Sequence, residues 1–346
     1  MKKKVSVIVT CYNTIDYFEE CLQSVVSQTY DNLQIIIVDD GSNDGSGKLA
    51  DEYATKRDNI QVIHQPNQGL AIARNSGLYI AEGEYITFVD ADDLLYEDSI
   101  EKLMKVVDKG EYDIVVGAYD RFRNGKNVAS CPHGLSEKSL ENPIDFRFKG
   151  FYATGHLSYD WGKLYRLGFI KAHGLYSTYY PYTQDKARNM RCQLYNPRYG
   201  FTDESVYRYR VNLASVSYKY HEDIFEVWNA IGQEFLDCCQ AAKCDVSEYE
   251  SMLALNYYYC LYFAVKQELD SGKGVKDAIV KIKEFGQYKT AVEYVSKLAD
   301  KNVLSQISAR DYAFIVRMSA KLFKHRLYRL FVFYLKIIYV HSKRGV

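Results

Sequence analysis

Neither sign of charge predominates. Lys and Arg total 44, and Asp and Glu total 44, in 346 residues. A balanced chain has no global field to gather polyanions, so no nucleic-acid partner is expected. Paired cysteines are also missing. The eight cysteines stand at 11, 21, 131, 192, 238, 239, 244 and 260, none in Cys-x-x-Cys spacing, and the seven histidines do not cluster near them. That argues against zinc and against a disulfide scaffold, and favours buried, reduced thiols in a cytoplasmic protein. No apolar run reaches the ~18 residues of a membrane span. The basic start, Met1 to Lys4, is followed by only Val5–Val9 before polar residues. A signal peptide needs roughly 7–15 apolar residues there, so a first strand is expected instead. Acidic residues stop at Asp311, whereas Lys321, Lys324, Arg326, Arg329, Lys336, Lys343 and Arg344 follow.

What is present is alternation. Short apolar runs at Val5–Thr10, Leu33–Val38, Ile60–His64, Tyr85–Val89 and Asp113–Tyr119 read as strands. Between them, Ile15–Thr29, Gly47–Lys56, Gly69–Ala81 and Ser99–Lys109 carry helical periodicity. Strands alternating with helices imply an α/β fold with a mainly parallel sheet flanked by helices. Near-continuous Val and Ile suit strands covered on both faces. Residues from Arg121 to about Tyr220 show no regular period. Beyond Glu222 the pattern is helical, with Phe225–Ala242, Tyr249–Leu269, Val275–Phe285, Ala291–Asp300 and Asp311–Val340 expected as helices.

In such a sheet, ligands bind at the carboxyl ends of the strands. Those ends read Thr10-Cys11-Tyr12-Asn13, Asp39-Asp40-Gly41-Ser42, Gln65-Pro66-Asn67-Gln68-Gly69 and Asp90-Ala91-Asp92-Asp93. Three carboxylates within four residues repel one another, and a divalent cation relieves that repulsion. Mg²⁺ or Mn²⁺ held by one or two carboxylates plus substrate phosphates fits the pattern. Asp caps on the helix near Ser99 are the plainer alternative. The second acidic strand end, Asp39-Asp40, favours the ligand site. Gly41–Lys48 imitates a phosphate loop, but its spacing is one residue too long and Leu49 stands where a hydroxyl should be. No Gly-x-Gly-x-x-Gly follows the first strand, which counts against a dinucleotide enzyme.

VSVIVTCYN (5–13), CLQSVVSQTY (21–30), IIIVDDGSNDGS (35–46), NQGLAIARNSGL (67–78) and GEYITFVDADD (83–93) together resemble the inverting family-two glycosyltransferases, bacterial surface-polysaccharide type. The resemblance continues through Trp161–Arg166 and fades near Ser217. It implies a GT-A (Rossmann-like) fold and a metal-dependent inverting glycosyltransferase. Such an enzyme uses Mn²⁺ or Mg²⁺ and a UDP-sugar to extend a glycan or lipid-linked acceptor for capsule or exopolysaccharide. The implied organisation is a nucleotide-sugar donor-binding half at 1–122, an acceptor-binding half with the base at 123–220, and a helical region at 221–346.

The resemblance also implies roles. Thr10 and Tyr12 line the nucleobase, and Asp39 hydrogen-bonds it. Arg74 lies in the donor site, Asp90 near the ribose, and Asp92 is the metal ligand, supported by Asp93. The base is an Asp roughly a hundred residues beyond the metal motif. Asp185 fits, although Gln184 precedes it where the family usually has Glu, and Asp160 and Asp203 lie nearby. Tyr179, Tyr180 and Tyr182 are either a stacking face for an acceptor sugar or ordinary packing. Arg208 and Arg210 read better as a solvated charged face than as acceptor contacts.

The C-terminal segment is a cationic amphipathic helix. It either lies at an anionic membrane interface, peripheral to the inner face of the membrane, or docks on the preceding helices with its basic face in water. A non-catalytic partner subunit with a transferase-like fold is the alternative function.

Overall fold

A computed structural model describes residues 2–212, 215 and 219–344, with side chains through Tyr339. Ser217 and the side chains of Lys343 and Arg344 lie outside the described residues. The chain divides into two compact units, one of residues 1–141 and 149–215, the other of residues 142–148 and 216–346.

The first unit holds a nine-stranded mixed sheet among the described residues. Its strands are β1 (Val5–Cys11), β2 (Leu33–Asp39), β3 (Ile60–His64), β4 (Tyr85–Asp90), β5 (Leu94–Leu95), β6 (Ile114–Arg123), β7 (Lys126–Cys131), β8 (Lys163–Arg166) and β9 (Tyr199–Arg210). The order is β3-β2-β1-β4-β8-β6-β9-β5, with β7 on β6. β3, β2, β1 and β4 are parallel, as the α/β reading expects. Beyond β4 the sheet changes character. β8 enters antiparallel between β4 and β6, so the strand expected at 113–119 does not neighbour β4. The stretch read as irregular supplies β7, β8 and β9. β8 is only four residues long and β7 is exposed, so this stretch carries little apolar alternation.

Helices α1 (Ile15–Val26), α2 (Ser46–Ala54), α3 (Leu70–Ile80) and α4 (Ser99–Val107) connect the early strands. On α1, Phe18, Cys21, Leu22 and Val25 are buried, the i, i+3, i+4, i+7 stripe of a helix packed on a sheet. α3 approaches the sheet closely at Gly77, which has no side chain. A Cβ there would meet Ile8 Cγ2 at 2.5 Å. Gly77→Ala is therefore expected to cost about 1–3 kcal/mol through overpacking. Urea melts of Gly77→Ala alone and with Ile8→Val should show the second change recovering part of the loss.

The glycine-rich segment 41–48 is held by Asp44. Asp44 Oδ2 accepts from Ile15 N at 2.9 Å, and Oδ1 accepts from Ser46 N at 2.9 Å. A side-chain carboxylate thus caps the starts of α1 and α2, where a phosphate loop would keep its amides open. Later in this unit come α6 (Leu167–Ala172) and α7 (Gln184–Cys192).

The second unit is helical. It comprises α5 (Pro143–Phe148), α8 (Ile224–Ala241), α9 (Glu250–Asp270), α10 (Val275–Glu284), α11 (Lys289–Lys297), α12 (Arg310–Lys324) and α13 (Tyr328–Arg344). The single helix expected at 311–340 is two. Arg326 adopts φ 58°. Arg326 N donates to Phe323 O, and Leu327 N to Leu322 O, both at 2.9 Å. This 5→2 and 6→1 pair is a Schellman ending. Sequence gives no warning, because the left-handed position is Arg rather than Gly and the apolar period runs on through Leu327 and Leu330. No described helix is long and apolar enough to cross a membrane. All eight cysteines are free, and five of them are buried.

Candidate active site

The parallel half of the sheet brings three strand ends together. In register, Thr10 pairs with Val38 on one side and Asp90 on the other, and Cys11 pairs with Asp39. The residues singled out at 10, 39 and 90 therefore lie along one edge. Thr10 is buried, and among the described residues its hydroxyl has no hydrogen-bond partner. A buried polar atom left this way calls for a ligand or water. Tyr12, just beyond, is half exposed.

Asp39 and Asp40 divide their work. Asp40 accepts from Gln68 N at 3.0 Å, Gly69 N at 2.8 Å and Gln65 Nε2 at 2.7 Å, which fixes the loop after β3. Asp39 accepts from Ser42 N at 2.9 Å and meets His64 Nδ1 at 2.9 Å. The other ring nitrogen of His64 meets Asp51 at 3.0 Å. Hydrogen bonds to Asp39, and then to Asp51, raise the His64 pKa. The strand-end motifs do not mark His64 as part of the site. Its signal is its place as the last residue of β3, in register with Asp39. Gly47 allows the approach, because a Cβ there would lie 2.5 Å from Asp39 Oδ2.

The three carboxylates after β4 also separate in role. Asp93 is buried and tied to β9. It accepts from Tyr207 OH at 2.8 Å and Arg210 N at 2.7 Å. Burial, then the charges of Asp92 and Asp90, push its pKa well up. Asp90 is held by Arg74 Nη2 at 2.6 Å. Asp92 is different. Among the described residues no other residue hydrogen-bonds or pairs with its carboxylate; its backbone oxygen alone is held, by Arg210 Nε at 2.6 Å. Burial, then the charge of Asp90, pushes the Asp92 carboxyl up to about 6. A crowded carboxylate of this kind fits a divalent cation completed by substrate oxygens. No trio of His, Cys, Asp or Glu among the described residues is grouped to hold a metal by itself.

Arg210 corrects one expectation. It does not belong to a solvated face: it also pairs with Glu20 at 2.7 Å and lies over Tyr17 and Phe122. Arg208 likewise lies over Phe122 and Tyr96. The Tyr-Arg-Tyr-Arg run of β9 held the signal, since residues two apart share a face. Tyr207 and Tyr209 stack on Trp161 at 4.6 and 5.5 Å, while the two arginines face Phe122.

A buried ion cluster stands behind these strand ends. Arg74 Nη1 meets Asp160 Oδ2 at 3.1 Å, and Arg188 Nη2 meets Asp160 Oδ1 at 2.6 Å. Asn189 Nδ2 donates to Asp160 Oδ1 at 2.9 Å. Burial opposes the charge of Asp160, but Arg188 and Arg74 outweigh it, and its pKa falls below the usual range. Nearby, burial lowers the Lys163 ammonium to about 7. Arg188 is sandwiched against Phe88 and Tyr165 at 4.5 and 4.9 Å.

Asp185 is the second residue of α7, beside this cluster. Thr183 caps the helix start with φ 59°, a left-handed position that a β-branched residue occupies only under strain. Asn189 Nδ2 also donates to Asp185 O at 2.9 Å, so one amide links Asp185's backbone to Asp160. Burial, then the charge of Asp160, raises the Asp185 carboxyl to about 6, with Arg74 opposing. The three acids considered for the base have distinct settings. Asp160 is fully enclosed and doubly paired, and Asp203 is largely exposed beside His133. Asp185 combines partial exposure with a raised pKa. Tyr179 is exposed with its ring 3.1 Å from the position a Cβ on Gly69 would take.

The family model described as Glycosyl transferase family 2 matches residues 6–169. The chain is 34% identical over 230 residues to EpsH of Bacillus subtilis (strain 168), covering 64% of this chain and 65% of EpsH. It is 34% identical over 221 residues to the glycosyltransferase GlyA of Streptococcus pneumoniae serotype 4, covering 62% of this chain and 31% of GlyA. The chain thus spans less than two thirds of either relative. Among solved structures, S. aureus TarS 1–349 in complex with UDP-GlcNAc superposes with TM-score 0.66 at 20% identity, over 98% of this chain and 92% of that one. A mannosyltransferase from Pyrobaculum calidifontis, in complex with GDP-Man and Mn²⁺, gives TM-score 0.52 at 15% identity, over 97% and 87%. At these identities the likeness is one of fold, the GT-A-like α/β fold with a helical C-terminal region.

Proposed function

We propose, from the match of residues 6–169 to the model of glycosyl transferase family 2, that this chain transfers a sugar from a UDP-sugar to a glycan or lipid-linked acceptor with inversion. The observation that carries the reading is the convergence at one sheet edge. A buried, partnerless Thr10 hydroxyl, the Asp39 carboxylate, the Arg74–Asp90 pair and the unbonded Asp92 carboxylate meet there, with Asp185 beside the same Arg74 cluster. Thr10, Tyr12 and Asp39 would hold the nucleobase. Asp90 would face the ribose, fixed by Arg74. Asp92 would hold Mn²⁺ or Mg²⁺, which when bound stabilises the diphosphate leaving group as a Lewis acid.

Breaking the sugar–phosphate bond develops positive charge at the anomeric carbon. Inversion requires attack from the opposite face by an acceptor hydroxyl, whose proton must go to a base. Asp185 is that base in this reading. A pKa near 6 leaves it ionised at neutral pH yet more basic than an ordinary carboxylate. Surface-glycan synthesis, as for capsule or exopolysaccharide, would be the setting.

The test is a thermal midpoint measured against UDP, dTDP, GDP, CMP and ADP, each with and without Mn²⁺. At ~100 times its dissociation constant, a ligand of the folded state adds about 2.7 kcal/mol. A metal-dependent shift with UDP alone is the expected result. No shift with any nucleotide would favour a non-catalytic partner subunit instead.

A further inference from the structure

α13 presents two apolar faces, and only one is used within its unit. Phe331, Val332, Leu335 and Tyr339 are buried, with Phe331 against Phe323 of α12 at 5.5 Å. On another side Leu330 is 54% and Phe333 57% exposed, next to the exposed Arg329 and Lys336. Leu327, at the helix entrance, is 47% exposed beside the exposed Arg326. Large apolar side chains ringed by cations are costly to leave in water unless something covers them.

Charge identifies the cover. From Tyr312 to the last residue there is no Asp or Glu, while eight Lys and Arg occur. Two copies meeting symmetrically through this face would bring Arg329 and Lys336 against their like, with no carboxylate on the helix to offset them. An anionic lipid surface offers what the face lacks: an apolar layer for Leu330 and Phe333, and negative headgroups at the depth of the arginine and lysine heads. No described helix can cross a membrane, so the association is in the interfacial plane.

We infer that the exposed face of α13, built on Leu327, Leu330 and Phe333 with Arg326, Arg329 and Lys336, docks the protein peripherally on an anionic lipid bilayer. This inference does not rest on the donor-site reading. Each Lys or Arg close to such a surface strengthens binding about five-fold.

The experiment is co-sedimentation of the full chain with phosphatidylcholine vesicles, with and without phosphatidylglycerol. Binding is expected only with the anionic lipid, and it should weaken with salt. Leu330→Glu with Phe333→Glu should lower it about a hundredfold. Arg329→Glu with Lys336→Glu, which removes no apolar contact, should lower it comparably. Melting temperature and response to UDP should not change in either variant, which separates this test from that of the donor site. Equal binding, or none, on the two vesicle types overturns the proposal. So does a native mass of two chains that falls to one in Leu330→Glu/Phe333→Glu, which would make the face a contact between copies.

Discussion

Asp185→Asn is expected to lower kcat for sugar transfer roughly a thousandfold, the middle of the range for losing a general base. The amide keeps the size of the carboxylate and cannot take a proton at neutral pH. Nucleotide binding should hardly move, because Asp185 touches the donor side only through charge, by way of Arg74 and Asp90. The expected pattern is therefore a collapse of kcat with an unchanged UDP-dependent thermal shift. Near-normal turnover would remove Asp185 from the mechanism.

The pH profile gives a second signature. The base must be ionised, so wild-type kcat/KM should rise with pH and level off above about 6, rather than near the ordinary carboxylate value of about 4. The stability consequence has the opposite sense. A folded pKa raised above the unfolded one means that the fold favours the protonated carboxyl. That contribution is present below the unfolded pKa, and it is lost as pH rises through about 6. Asp185→Asn carries no such group. Wild type should thus lose stability relative to Asp185→Asn as pH rises from about 4 to about 6, the span between the unfolded and folded pKa values. A variant at least as stable as wild type at neutral pH excludes misfolding as the cause of lost turnover.

The sheet edge was readable because its residues are close in sequence. Thr10 and Tyr12, Asp39 and Asp40, and Asp90 to Asp93 each follow a continuous apolar strand, and parallel strands end on the same side. The ion cluster was not readable. Asp160 is 86 residues from Arg74 and 28 from Arg188. Each alone looks like a surface charge, and α7 is so polar that no apolar stripe marks it as buried, yet only Asp185 of its nine residues is not buried. Long-range pairing decided its position, and local pattern carries no trace of that. Asn75 shows the same limit. Its side chain exchanges two 2.8 Å hydrogen bonds with the Ser177 backbone, joining α3 to the segment before Asp185. Within an Ala-Arg-Asn string it reads only as a neighbour of Arg74.

Asp160→Asn is the second change with a large expected effect, and it acts first on stability. Two guanidiniums, Arg74 and Arg188, are both fully buried and share this one carboxylate. Arg74 keeps Asp90 as a partner, whereas Arg188 has no other acid partner among the described residues. Removing one member of a buried pair leaves an uncompensated charge, at a cost of about 3–5 kcal/mol. For a unit of this size each kcal/mol is worth roughly 2–4 °C, so a melting drop of about 6–20 °C is expected. The folded pKa of Asp160 is depressed, so its contribution is full above the unfolded value of about 4 and lost as pH falls through the folded one. The gap in melting temperature between wild type and Asp160→Asn should therefore hold from neutral pH to about 4 and close below that. Because the charge of Asp160 helps raise the Asp185 carboxyl, the variant that remains folded should also show its acid limb of kcat/KM moved below 6. A melting drop without that move would mean that Asp160 only holds the two arginines. Both together would mean that the cluster sets the basicity of Asp185 as well as its place.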